Sequence, residues 1–169
     1  MLKTASPAVR HKTDVGGVHT GLVDAGAVSA AYAELSGRFG PRAVVQPHLT
    51  GGVEVALGIV SDPLLGPLVL VAAGGTLVEL LHERFAGLPP LSDEVAGEMV
   101  TRLPRLNAVL HGVRGSEPAD LAALVAAISA TGQIALELGD QLEALDINPV
   151  MCGPVAAVAV DALVVRRAD

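Results

Sequence analysis

Three groups of residues in this 169-residue chain have the types and spacing to do chemistry. The first is Glu143-Ala144-Leu145-Asp146-Ile147-Asn148-Pro149, with Asp161 on the strand that follows. Two strands joined by a hairpin can bring Asn148 and Asp161 side by side, and paired hard oxygen donors suit Mg²⁺, which completes its shell with water and phosphate oxygens. The same residues also read as a solvated turn, with Asn148-Pro149 ending a strand and Asp161 capping a polar edge. The second group is HKTDVGGV at 11–18, preceded by Lys3. Gly16 and Gly17 let the backbone approach an anion, while His11 brings a nucleophilic imidazole and Lys12 a cation, so a phosphate is the guest the run would suit. A Gly-Gly turn beside charged residues is equally the pattern of an ordinary exposed hairpin loop. The third group runs from Gln46 to Glu54 and sets a carboxylate in an otherwise apolar, alternating strand. Such a group needs a partner, either a buried Lys or Arg or the hydroxyls of a ribose.

The elements that must position these groups are legible in outline. A β-prone run covers 18–23, and Val28, Ala31, Tyr32 and Leu35 recur at helical spacing over 27–39, where Gly40-Pro41 stops the helix. Residues 43–49 read as a strand, and Thr50-Gly51-Gly52 as a turn into an alternating strand over 53–59. That turn is the expected boundary between two lobes, 1–50 and 51–169. A strand at 67–73 leads through Gly74-Gly75 to a short apolar element carrying Leu77, Val78, Leu80 and Leu81. Ser92 is a good N-cap, with Asp93 and Glu94 where the helix dipole favours negative charge, and that helix ends before Pro104. Pro118 is expected in the first turn of the longest helix, which continues through Leu121, Leu124, Val125, Ile128 and Ile134. Strands at 142–151 and 155–165 flank Cys152-Gly153-Pro154 and pair antiparallel. This order predicts an α+β fold with a mixed or antiparallel sheet.

Composition narrows the function classes. Hydrophobic residues make up 51% of the chain but aromatics only 2%, so the core must be built from Ala, Val and Leu. The net charge of -7 opposes nucleic acid and anionic membranes at long range, so a nucleotide site would need local positive charge. Cys152 is the sole cysteine, which excludes an internal disulfide and a multi-cysteine metal site and fits a reducing, cytoplasmic setting. The apolar stretch 64–73 is shorter than a membrane span and holds Gly66 and Pro67, and 1–13 has no long apolar run, so neither membrane insertion nor a targeting signal is expected. His19, His48, His82 and His111 lack metal-ligand spacing and read as structural. Arg114 reads as a partner of Asp120 or Glu117.

Several separated motifs, in order, resemble the ATP-grasp domain of ADP-forming acetyl-CoA synthetases and related acyl-CoA ligases, distant relatives of the succinyl-CoA synthetase β subunit. They are LKTASPAVRHKTDVGGV at 2–18, VVQPHLTGGVEVALGIVSDPLLGPLVLVAAGG at 44–75, VELL at 78–81, GVRG at 112–115, LDINPV at 145–150 and VDALV at 160–164. The resemblance implies an ATP-grasp-like fold with a complete C-terminal lobe at 51–169 and a partial N-terminal lobe at 1–50, since the family's unit extends upstream of the strand whose lysine is here residue 3. It implies that Lys3 contacts ATP phosphates, that Gln46 lies on the hinge strand passing the adenine, and that Glu54 is the acidic position after it. Asn148 and Asp161 match the Mg²⁺ ligands, and His11 the second phosphohistidine carrier.

The reaction so implied is acid, CoA and ATP to acyl-CoA, ADP and phosphate, with ATP/ADP and Mg²⁺ bound here and CoA held by a separate domain or α-type subunit. The alternative is a non-catalytic remnant or regulatory module, like the ATP-grasp-like region fused to bacterial protein acetyltransferases. A partial lobe leads us to expect an unusually large exposed apolar surface, or its burial by self-association as a homodimer, and weak or undetectable ATP binding without turnover by the chain alone. His82-Glu83-Arg84 departs from the family after VELL and reads as neutral variation.

Overall fold

The computed structural model describes residues 1–9, 12–75, 82–113 and 115–167, and the chain divides into two compact units, Met1–Thr50 and Gly51–Asp169. In the first unit β1 (Leu2–Thr4) is the middle strand between β2 (Val18–His19) and β3 (Ala43–Val45), and both pairings are antiparallel. Helix α1 (Ala25–Phe39) begins at Asp24, whose carboxylate accepts the Ala27 amide at 2.7 Å, and it buries Ala31 and Leu35 against Leu2. Both strands flanking β1 are shorter than the sequence implies. The chain leaves β2 before Gly21, which takes φ +70. Beyond β3, Gln46 still exchanges backbone hydrogen bonds with Met1 at 3.0 and 3.1 Å, but Pro47 has no N–H with which to continue the ladder.

The second unit is an antiparallel sheet covered by helices. Its path is β6 (Arg84–Gly87), β5 (Gly66–Ala73), β4 (Val53–Asp62), β7 (Leu142–Cys152) and β8 (Ala157–Ala159), with β9 (Leu163–Arg166) also on β7. All pairings among the described residues are antiparallel. Alternation along β4 buries Val55, Leu57 and Ile59, and β5 answers with Val69, Val71 and Ala73. Over them lie α2 (Asp93–Thr101), α3 (Pro104–Leu110) and α4 (Leu121–Leu138). Leu124, Ile128, Thr131, Gly132 and Ala135 form the buried stripe of α4. By length and composition α4 could cross a membrane, but that stripe packs on β4, β5, β7 and α2. At the β4–β5 turn, Asp62 accepts the Leu65 and Leu64 amides, at 2.9 and 2.8 Å, and both bonds hold its carboxyl below the ordinary range.

Several sequence expectations need correcting here. Pro118 lies outside α4, because Asp120 takes the N-cap by accepting the Ala123 amide at 3.0 Å. Pro104 does more than stop a helix: it stands at the start of α3. Strand β6 and helix α3 have no counterpart in the sequence reading, and the apolar element at 77–81 and Arg114 lie outside the described residues. The strand expected over 155–165 is two strands, β8 and β9.

Glu83, read from the sequence as neutral variation, makes specific contacts. Leu103, the residue before α3, makes no side-chain cap, and the Glu83 carboxylate accepts instead the amides of Arg105 at 3.0 Å and Leu106 at 3.0 Å. With 14% of its side chain exposed, Glu83 ties the start of β6 to the head of α3. Glu83→Ala is expected to cost about 1–2 kcal/mol, the loss typical of a helix cap, read as a lower urea midpoint with unchanged slope. An unchanged midpoint would show that water replaces the carboxylate without cost.

Candidate functional site

The second unit carries an irregularity at the residues singled out for metal binding. Strand β7 pairs with β4 as Val55↔Val150 and then Leu57↔Ile147, so Asn148 and Pro149 together face Ala56 in a β-bulge. Pro149 cannot donate to a ladder, β7 breaks step with β4 at this point, and bulges of this kind re-aim side chains. On its other edge β7 keeps one register on both flanks of the interruption, Asp146↔Leu163 with β9 and Val150↔Ala159 with β8. Carrying that register through sets Asn148 against Asp161, and the Val160 amide donates to the Pro149 carbonyl at 3.0 Å between them. Residues directly opposite on an antiparallel pair have Cβ atoms about 5 Å apart. Asn148 is exposed and Asp161 half-buried.

Among the described residues no three His, Cys, Asp or Glu side chains form a metal-sized cluster. Two protein oxygens with water and phosphate completing the shell is how Mg²⁺ is commonly held, so the donor set at the bulge fits that ion.

Glu54 differs from its sequence reading in one respect. The alternation that buries Val55 turns Glu54 to the opposite face of β4, where it is half-buried opposite Met151 and not enclosed in the apolar core. It lies instead against the Gly74-Gly75 turn, whose Gly74 amide donates to the Glu54 carbonyl at 2.8 Å. A Cβ on Gly75 would have to displace the Glu54 carboxylate, and the left-handed backbone there, at φ +54, favours glycine.

In the first unit Lys3 lies between Val18 and Val44 on the middle strand and is only 8% exposed. His11 is outside the described residues. The Gly16 and Gly17 amides do not form the open anion cradle that the sequence suggests. They donate to the Thr13 and Lys12 carbonyls at 3.0 and 2.6 Å, closing the 12–17 turn on itself. Gly17 is needed for that closure, since a Cβ there would come within 2.9 Å of the Lys12 carbonyl oxygen. The cation this turn carries is Lys12, two residues before Asp14. Gln46 is half-buried at the rim of a hollow of about 550 Å³ lined by Met1, Leu22, Val23, Val45, Pro47 and His48.

Charge is divided unevenly along the chain. Residues 1–50 hold five of the 11 Lys and Arg and three of the 18 Asp and Glu, a net +2, which leaves 51–169 at -9. Both lysines, Lys3 and Lys12, fall in the first unit, so the overall charge of -7 conceals a cationic segment suited to phosphate and an anionic one suited to a cation. Cys152 is fully buried, and desolvation pushes its thiol up to about 11, which removes it from thiolate chemistry near neutral pH. His19 reaches Glu34 at 3.5 Å, and His111 Nδ1 lies 2.8 Å from the Asn107 carbonyl oxygen, both serving structure.

An antiparallel α+β architecture with these motifs in this order defines a class, and comparison with known proteins agrees. Residues 1–165 match the ATP-grasp domain family. The chain is 32% identical over 170 residues to the β subunit of ADP-forming acetate–CoA ligase I of Pyrococcus furiosus, covering 96% of this chain and 72% of that subunit. It is 34% identical over 157 residues to ADP-forming acetate–CoA ligase I of Archaeoglobus fulgidus, covering 89% of this chain and 23% of that longer one. Among solved structures it resembles acetyl-coenzyme A synthetase 1 of Ca. Korarchaeum cryptofilum in complex with coenzyme A and Mg-AMPPCP, with TM-score 0.86, 34% identity and coverage of 99% of this chain and 76% of that one. The chain belongs to the ATP-grasp family found in ADP-forming acetyl-CoA synthetases.

Proposed function

We propose that this chain is the nucleotide- and Mg²⁺-handling ATP-grasp part of an ADP-forming acyl-CoA ligase, with units 1–50 and 51–169 serving as its two lobes. Lys3 takes the nucleotide's phosphates, Gln46 the adenine and Glu54 the ribose hydroxyls. Asn148 and Asp161 hold Mg²⁺, which when bound neutralises phosphate charge. His11 is the nucleophile. A neutral imidazole nitrogen forms a bond to the terminal phosphorus of ATP as the bridging P–O bond breaks, and ADP departs with that electron pair. The phosphohistidine then passes its phosphoryl group onward.

A CoA-binding domain or α-type subunit is the partner this chemistry requires. The Pyrococcus relative is a β subunit, the Archaeoglobus relative is a longer chain, and the Korarchaeum structure holds coenzyme A and Mg-AMPPCP with a phosphohistidine segment pointing towards the nucleotide binding site.

The observation that best supports the metal assignment is the unchanged register on either side of the Asn148-Pro149 bulge. Titration calorimetry with ATP, with and without Mg²⁺, tests it. Asp161→Ala is expected to weaken Mg-ATP binding about 30-fold or more, the least usually seen when one member of a desolvated charged pair is truncated, and to leave metal-free ATP binding nearly unchanged. Equal Mg²⁺ dependence in Asp161→Ala and wild type would rule Asp161 out as a ligand.

A further inference from the structure

The first unit contains a connection that the proposed chemistry does not use. Arg38 sits in the last turn of α1, where a cation also favours the helix dipole, and its guanidinium serves two elements at once. Nη1 lies 3.3 Å from Glu34 Oε1, one turn back on the same helix. Nη2 donates to the Val15 carbonyl at 2.7 Å, a partner 23 residues away in the 12–17 turn. The plane rests over the Phe39 ring at 4.8 Å, and the backbone of Gly16 passes so close that a Cβ there would lie 3.5 Å from Nη1. Glu34 also receives His19 Nε2 at 3.5 Å, so one carboxylate braces both Arg38 and β2.

We propose that Arg38 is a positioning residue, gripping the Val15 carbonyl so that the 12–17 turn and Lys12 are held in one place for a phosphate. This rests on the reading of the turn as phosphate-facing. Exposure favours positioning over stability: Arg38 and Glu34 keep 48% and 54% of their side chains in solvent, and such pairs contribute little to folding. The directed bond to Val15 is the shortest Arg38 makes among those described, and only a planar fork can serve the helix and the turn together. The two glycine amides are consumed within the turn, so the turn has no hold of its own on an anion through them, and its placement depends on outside contacts such as this one.

The test uses the whole chain with Arg38→Gln, Arg38→Lys and Glu34→Gln, each followed by thermal unfolding, by the Gly16 and Gly17 amide resonances, and by Mg-ATP titration. Arg38→Gln is expected to lower Tm by no more than about 4 °C, to shift both glycine amides, and to weaken Mg-ATP binding on the order of tenfold. Arg38→Lys keeps the charge without the fork and should recover only part of that loss, and Glu34→Gln should show the same changes in weaker form. Full recovery in Arg38→Lys would overturn the proposal, because charge alone would then suffice. Unmoved glycine amides in Arg38→Gln would overturn it too. If wild type binds Mg-ATP and Arg38→Gln binds it equally well, the positioning role fails by itself. If wild type takes up no Mg-ATP, as a partial lobe allows, the nucleotide reading is left as it stood and the glycine amides and thermal unfolding alone decide the positioning role.

Discussion

Lys3→Met is expected to weaken Mg-ATP binding about 30- to 100-fold while the chain stays folded. Lys3 lies on the middle strand of the first sheet, with β2 and β3 hydrogen-bonded on either side and 8% of its surface exposed. A charge so shielded from water acts on a phosphate with less screening than a surface lysine would, and its strand neighbours fix where the stem begins. Methionine has a comparable unbranched stem and fills the same space, so the substitution removes the charge with little change in packing. Calorimetric titration with Mg-ATP measures the affinity, and far-ultraviolet circular dichroism checks the fold. Wild-type affinity in the folded variant would exclude Lys3 from the phosphate site and would leave the cationic bias of residues 1–50 as the remaining electrostatic attraction.

Ile128→Ala is expected to destabilise the second unit by about 2–5 kcal/mol, lowering Tm by roughly 5–15 °C. Ile128 is completely buried in the middle of the α4 stripe, between Leu124 one turn before and Thr131 and Gly132 one turn after. The helix approaches closely there: a Cβ on Gly132 would lie 3.2 Å from Leu91 Cγ, so little slack remains to refill a vacated volume. With so few aromatics in the chain, the core gains its contacts from many medium-sized side chains, and removing one leaves a cavity its neighbours cannot reach across. Urea titration followed by circular dichroism gives the value directly. A loss below about 1 kcal/mol would mean that α4 can shift towards the sheet and close the gap.

The residues that sequence reasoning handled well are those whose signals are local. Gly40-Pro41 stops α1 and Ser92 starts α2, because a breaker or a cap acts within one turn of the helix it bounds. The alternation of β4, the stripe of α4 and the antiparallel return after Cys152 were legible for the same reason: each is a repeat of two or of three to four residues in a continuous stretch. The family motifs were legible too, being runs of contiguous residues.

What escaped the sequence depends on partners distant in the chain. The Glu83 carboxylate caps α3 from 22 and 23 residues away, and Arg38 holds Val15 across 23, so neither has a local pattern. The face taken by Glu54 was decided by which side of β4 the helices cover. The strand expected over 155–165 divides into β8 and β9 opposite Pro149, which has no N–H to give that edge. By itself, then, the sequence determined the family, the α+β class and most of the elements, since periodicity, capping and motif order are all carried by neighbours along the chain. The tertiary structure alone decided that β7 breaks step with β4 at Asn148-Pro149 while keeping one register with β8 and β9, because a bulge on one edge exists only once those strands have paired.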